Sequence, residues 1–202
     1  MSKTLNRTSG STMAVDLSPI VELTDERFFE LCRANRDLRL ERTAEGELIV
    51  MPPAGGQSGR RNAKITYQLV AWADKDGRGV VFDSSGGFIL PNGAIRAPDA
   101  SWVRMEAWNK LSDEQKEKFL PLCPDFVIEL RSATDSISDV QAKMQEYVEN
   151  GARLGWLIDP FEKLVYVYRQ SSQVETLANP RTIAGDPLLP GFVLDLQEIW
   201  QG

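Results

Sequence analysis

Along this chain, stretches whose apolar residues recur at helical spacing give way to short runs in which they alternate or cluster. From Thr24 the pattern is helical. Thr24 suits an N-cap, Asp25 and Glu26 fall in the first turn, where the helix dipole favours acids, and Phe28, Leu31 and Cys32 share a face. Residues 37–42 then alternate, with Leu38 and Leu40 opposite Arg39. The turn Ala44-Glu45-Gly46 leads to Glu47-Leu48-Ile49-Val50-Met51, so the two runs predict a β-hairpin. Pro52-Pro53 ends it. Residues 55–59 (GGQSG) predict a flexible lead-in to a second helix, from about Arg60 to Asp74, with Ile65, Leu69, Val70 and Trp72 mostly on its buried side.

The middle of the chain is more extended. Residues 80–82 and 87–90 predict short strands, Pro91-Asn92-Gly93 a turn, and residues 95–103 a returning strand that carries Pro98-Asp99. Residues 106–119 are polar and charged and predict a helix closed by Pro121. Residues 124–130 (PDFVIEL) form a nearly unbroken apolar run, as expected of a central strand buried on both faces. A loop over 132–138 precedes a helix over 139–150, with Gly151 placed to end it. Residues 154–158 and 164–168 predict strands around Asp159-Pro160, and 180–190, with three prolines, a loop. The elements expected open with an N-terminal helix and β-hairpin, followed by further strands and helices. There is no internal repeat and no second domain. Residues 19–202 are expected to form one domain, and residues 1–18, rich in Ser and Thr, a disordered arm.

Composition narrows the chemistry. The 202 residues include no histidine, which removes a Ser-His-Asp triad, a Cys-His pair and any imidazole-ligated zinc or iron. Cys32 and Cys123 are too few for a four-cysteine zinc site and read as reduced core thiols of a cytoplasmic protein. The net charge of −6 offers no general attraction to nucleic acid or anionic membrane. No apolar run approaches the roughly 18 residues of a membrane helix. Catalysis therefore rests on carboxylates, lysine, arginine, hydroxyls or a metal held by oxygen.

Two carboxylates stand out. Glu129 interrupts the apolar strand, and a buried carboxylate is costly unless paired, protonated or metal-bound. One reading is a salt bridge to Arg131, two residues on; the other is a site. Asp99 also sits in an extended apolar segment, on a strand able to lie beside that of Glu129. Two carboxylates on adjacent strands can meet at one hard cation such as Mg²⁺. Asp125 is roughly 13 Å from Glu129 at about 3.3 Å per residue and is expected to fix backbone nearby. Lys143 lies on the following helix in one band with Glu146, Tyr147 and Asn150. It is either a solvated surface charge or a cation placed over the carboxylate pair. Arg60, Arg61 and Lys64 either face a phosphate backbone or form a solvated turn, and Arg33, Arg36, Arg39 and Arg42 either touch phosphates or pair with Glu41, Glu45 and Glu47.

Pro98-Asp99, PDFVIELRS (124–132), DVQAKMQEYVENGARLGWLIDP (139–160) and LVYVYR (164–169) resemble the Uma2 family, restriction-endonuclease-like proteins of the PD-(D/E)XK nuclease superfamily. Residues 23–62 resemble the family's N-terminal half, so the likeness spans roughly residues 20–200. It implies an α/β fold class: a restriction-endonuclease-like core with a mixed central β-sheet flanked by helices, preceded by the N-terminal helix and β-hairpin. The family's Asp falls on Asp99, its Glu on Glu129, and the backbone carbonyl of Leu130 would complete the protein's share of Mg²⁺ ligands. The superfamily's lysine position holds Arg131, which cannot shuttle protons. The resemblance moves that role to Lys143 and points to Gln57 as the polar residue of the first core helix. It implies a Mg²⁺-dependent (or Mn²⁺-dependent) endonuclease hydrolysing DNA, with a homodimer suited to cutting two strands. The competing expectation is a catalytically degenerate module that keeps the fold and binds nucleic acid or a protein partner.

Overall fold

The computed structural model describes residues 12–18 and 20–201. In chain order the elements are β1 (Met13–Val15), α1 (Asp25–Ala34), β2 (Arg39–Arg42), β3 (Leu48–Met51), α2 (Gly56–Asp76), β4 (Gly79–Asp83), β5 (Phe88–Ile89), β6 (Ile95–Arg96), β7 (Ala100–Arg104), α3 (Met105–Trp108), α4 (Asp113–Lys116), β8 (Phe126–Leu130), α5 (Ile137–Glu149), β9 (Leu154–Asp159), β10 (Leu164–Arg169), β11 (Glu175–Ala178), β12 (Thr182–Ala184), β13 (Val193–Asp195) and α6 (Gln197–Trp200).

Two sheets carry the molecule, with a β12-β13 pair beside them. The larger has the order β11-β10-β9-β8-β7-β4, and the smaller β1-β3-β2-β6-β5. In the larger sheet only β8 and β9 run parallel, so it is mixed. Parallel neighbours need a crossover, and α5 supplies it. The predicted apolar run becomes β8, every residue of which is buried. Ile128 and Leu130 pack with Ile65 and Leu69 of α2, whereas Val127 packs with Met144 and Tyr147 of α5. The two faces of one strand thus serve two cores, and Glu129 shares the Val127 side by the period-two rule.

Several expectations are corrected. The supposed single strand over 95–103 is two strands in different sheets: β6 pairs with β2 and β5, β7 with β4 and β8. Pro98 lacks an amide donor and restricts the residue before it, which breaks the ladder there. The chain changes sheet at that break and leaves Asp99 at the junction. The helix over 106–119 is two single turns, because Ser112 restarts it: its hydroxyl accepts from the Gln115 amide at 3.2 Å and Gln115 Oε1 accepts from the Ser112 amide at 2.9 Å. Residues 56–59 are not a flexible lead-in but the first turn of α2, the Gly59 amide donating to Gly55 O at 2.9 Å. Tertiary packing of Ile65, Leu69 and Ala73 overrides the cost of glycine in a helix. The predicted loop over 180–190 contains β12. Of the expected arm over 1–18, residues 1–11 lie outside the described residues, and Met13–Val15 is not an arm but a strand on β3.

Candidate active site

Extending the β7/β8 register, in which Ala100 faces Ile128, by one residue puts Asp99 opposite Glu129. Both are buried. Asp99 is fixed at both oxygens: Oδ2 accepts from the Leu130 amide at 2.9 Å, and Oδ1 accepts from Asn62 Nδ2 at 2.9 Å and lies 3.6 Å from Arg39 Nη2. Glu129 Oε1 accepts from Tyr147 Oη at 3.0 Å and sits 2.8 Å from Lys143 Nζ. Tyr147 and Lys143 are one helical turn apart on α5, the face that covers β8. The smaller sheet closes the other side. Glu41 Oε1 accepts from Lys143 Nζ at 2.7 Å and from the Ala97 amide at 3.0 Å, and Oε2 pairs with Arg96 at 3.2 Å. Of these residues Arg39, Glu41, Asn62, Arg96, Asp99, Glu129 and Lys143 line a cavity of about 720 Å³, whose further walls include Ile49, Met51, Pro53 and residues 132–136.

The charges are unequal in their ease of ionising. Burial pushes the Glu129 carboxyl up to about 7; Lys143 opposes this, and the Asp99 and Glu41 carboxylates add to it. Burial acts upward on Glu41 as well, but Lys143, Arg96 and the Ala97 amide more than reverse it, so Glu41 stays ionised. Burial disfavours the Lys143 ammonium, yet Glu129 and Glu41 hold its proton more tightly than in water. The site is a carboxylate pair with one member short of positive charge.

A hard cation would meet that need. The donors are oxygen only, and one is orphaned: Asn62 Oδ1, on the residue that donates to Asp99, is buried with no hydrogen-bond partner. Among the described residues no three Asp, Glu or Cys side chains converge as metal ligands. Two carboxylates with water making up the rest is the pattern of Mg²⁺, which seldom takes an all-protein cage. The residues fit such an ion.

The profile of the Uma2 family, described as "Putative restriction endonuclease", matches residues 25–197. The chain belongs to the Uma2 family. A crystal structure described as "a putative nuclease belonging to DUF820", from Anabaena variabilis ATCC 29413, shares the fold at a TM-score of 0.69 and 20% identity, covering 80% of the Uma2 chain and 89% of its own. No curated protein matches. At a coarse level, the family supports a nuclease-class hydrolase.

In this Uma2 chain Asp99, Glu129 and Lys143 converge as expected from the sequence, and Leu130 lines the same cavity. Gln57 does not join them: it is exposed in the first turn of α2 and outside the cavity, and Asn62, further along α2, reaches Asp99 instead. Asn62 was legible, being three residues before Ile65 and seven before Leu69 on the buried face. Arg131 turns away. Its Nη1 bonds Asp159 Oδ2 at 2.7 Å and its guanidinium lies over Phe161 at 5.5 Å, so it neither pairs with Glu129 nor faces the cavity. Arg61 and Lys64 tie α2 to α6, through Ile199 O at 2.9 Å and Glu198 at 3.1 Å; Arg61 is buried, Lys64 stays partly exposed and Arg60 is exposed. Asp125 holds Arg104 across the sheet, not its own local backbone. Glu41 and Arg96 were missed as members of the site. A four-residue strand such as Arg39–Arg42 carries no pattern that separates a buried acid from a solvated one. Both cysteines are free thiols, and burial raises Cys32 to about 11 and Cys123 to about 12, which leaves them poor nucleophiles. No described helix is long and apolar enough to cross a membrane.

Proposed function

We propose that the chain is a divalent-metal-dependent endonuclease that hydrolyses DNA phosphodiester bonds, with Asp99, Glu129 and the Leu130 carbonyl holding Mg²⁺ or Mn²⁺. The observation that carries this is the cross-strand pair Asp99/Glu129 with the Lys143 ammonium 2.8 Å from one member, in an open cavity. A bound ion of this kind supplies charge neutralisation for the phosphate and acidifies water. The chain's own groups do the rest. The Leu130 amide, Asn62 and Arg39 fix the Asp99 carboxylate, so it meets a ligand without reorganising. Lys143 keeps its proton between two carboxylates, so it stabilises negative charge gathering on phosphate oxygens and is not the base. With no histidine in the chain, no imidazole competes for that role.

A supercoiled plasmid assay tests the reading. Mg²⁺ or Mn²⁺ should produce nicked circles, and Asp99→Ala and Glu129→Ala should each abolish them; nicking that survives both substitutions refutes the assignment. Linear product arising directly, together with a dimer in sedimentation, would support paired active sites in a homodimer. One observation favours the second reading, a degenerate module binding nucleic acid or protein. Lys143 and Arg96 are already neutralised by Glu41, Glu129 and Glu146, and the chain carries a net −6. Calorimetry showing no Mg²⁺ uptake that depends on Asp99 would select that module.

A further inference from the structure

Glu41 belongs to the smaller sheet, yet the residue is only 2% exposed and its carboxylate grips the helix that serves the larger one. Its two oxygens are divided between Lys143 and Arg96. Arg96 Nε is held in turn by Glu146 Oε2 at 2.6 Å, and Glu146 stands on α5 beside the turn that carries Lys143. The ring Lys143–Glu41–Arg96–Glu146 therefore starts and ends on one helix and passes through two strands.

Lys143 thus has two anionic partners, Glu41 at 2.7 Å and Glu129 at 2.8 Å, and they are not equivalent. Glu129 is the one facing Asp99. Once Glu129 serves a divalent ion, its charge is spent there, and the ion and the ammonium repel each other at close range. A lysine stem retained by nothing else would regain its rotamer freedom and swing out to water. Glu41 lies on the ammonium's other side, with its second oxygen and the Ala97 amide bond anchoring it.

We propose that Glu41 is a positioning residue that keeps the Lys143 ammonium in the site when Glu129 turns to a divalent cation. This rests on reading Glu129 as a metal ligand. Glu41 touches neither ion nor substrate; it acts through Lys143.

The test is NMR observation of the Lys143 ammonium, assigned by its loss in Lys143→Arg, with and without Mg²⁺. In wild type the slowly exchanging signal should persist through Mg²⁺ loading. In Glu41→Gln it should vanish on loading, while calorimetric Mg²⁺ affinity stays close to wild type. On plasmid, kcat should fall about 10- to 100-fold with KM little changed, as for other supporting partners of metal sites. A wild-type signal that disappears on loading overturns the inference, as does loss of Mg²⁺ binding in Glu41→Gln, which would make Glu41 a ligand. The wild-type arm stands even where Glu41→Gln fails to fold. Wild-type protein that binds Mg²⁺ but nicks nothing defeats the nuclease reading alone; protein that takes up no Mg²⁺ overturns both.

Discussion

Replacing Glu129 by Gln should make the metal-free protein more stable at pH 8 and leave it nearly unchanged at pH 5. In the folded chain, burial first, and then the neighbouring Asp99 and Glu41 carboxylates, move the Glu129 carboxyl from an ordinary 4.5 to about 7 against the pull of Lys143. A group raised on folding stabilises the fold while it is protonated. Its contribution is complete below pH 4.5 and is lost as pH climbs through 7. The displacement corresponds to about 3 kcal/mol between the two ends of that window. Gln mimics the protonated acid in shape and neutrality and does not titrate, so the variant escapes the loss. Urea unfolding of both proteins in chelator, at half-unit steps from pH 4.5 to 8.5, measures the difference directly. The gap should open with rising pH in favour of Gln, toward a ceiling of about 3 kcal/mol. Saturating Mg²⁺ should close it from the wild-type side, because a ligand of the folded state stabilises it. A wild-type-to-Gln difference that is flat across this range would refute the account of Glu129 as a strained, cation-seeking carboxylate.

Three further outcomes are expected. Arg131→Ala should cost about 2–3 kcal/mol in urea unfolding, because it strands the buried Asp159 carboxylate, while plasmid-nicking kcat stays at the wild-type value. Arg61→Ala should lose about 1–2 kcal/mol of stability through its bond to Ile199 O, with no change in the salt dependence of DNA binding. Gly79→Ala should destabilise by about 1–3 kcal/mol, since a Cβ there would lie 2.2 Å from the Trp102 ring, and thermal unfolding would read it.

The sequence was most legible where one physical demand dominated. The apolar run over 124–130 could only be a doubly buried strand, and a carboxylate inside it could only be a paired or functional group; β8 and Glu129 follow. The hairpin over 37–51 and the strands over 154–168 were equally clear, as short apolar runs bounded by turn residues. What periodicity does not carry is which sheet a strand joins. Residues 95–103 read as one strand because both halves are apolar, and only Pro98 hinted at the change of sheet. For the same reason Glu41 was invisible. Its burial comes from a helix 102 residues later in the chain, and nothing local to β2 records that. Gln57 and Arg131 were chosen by position relative to a motif, and each lost to direction: one side chain faces water and the other faces β9.

That change of sheet at Pro98 also sets the order in which the site can come together. Asp99 meets the Leu130 amide over 31 residues, within neighbouring strands of one sheet. Lys143 meets Glu41 over 102, and only after both sheets have formed and docked. Closing the longer loop is the slower event. The Asp99–Leu130 contact and the Lys143–Glu129 pair, both made within the larger sheet and the helix that follows β8, are therefore early landmarks of folding, and the Glu41 grip on the lysine is a late one. A chain caught between them would hold Asp99, Glu129 and Lys143 together without Glu41 on the far side of the ammonium, and undocking of the smaller sheet would return it to that state. Folding thus leaves the second anchor of the ammonium for last.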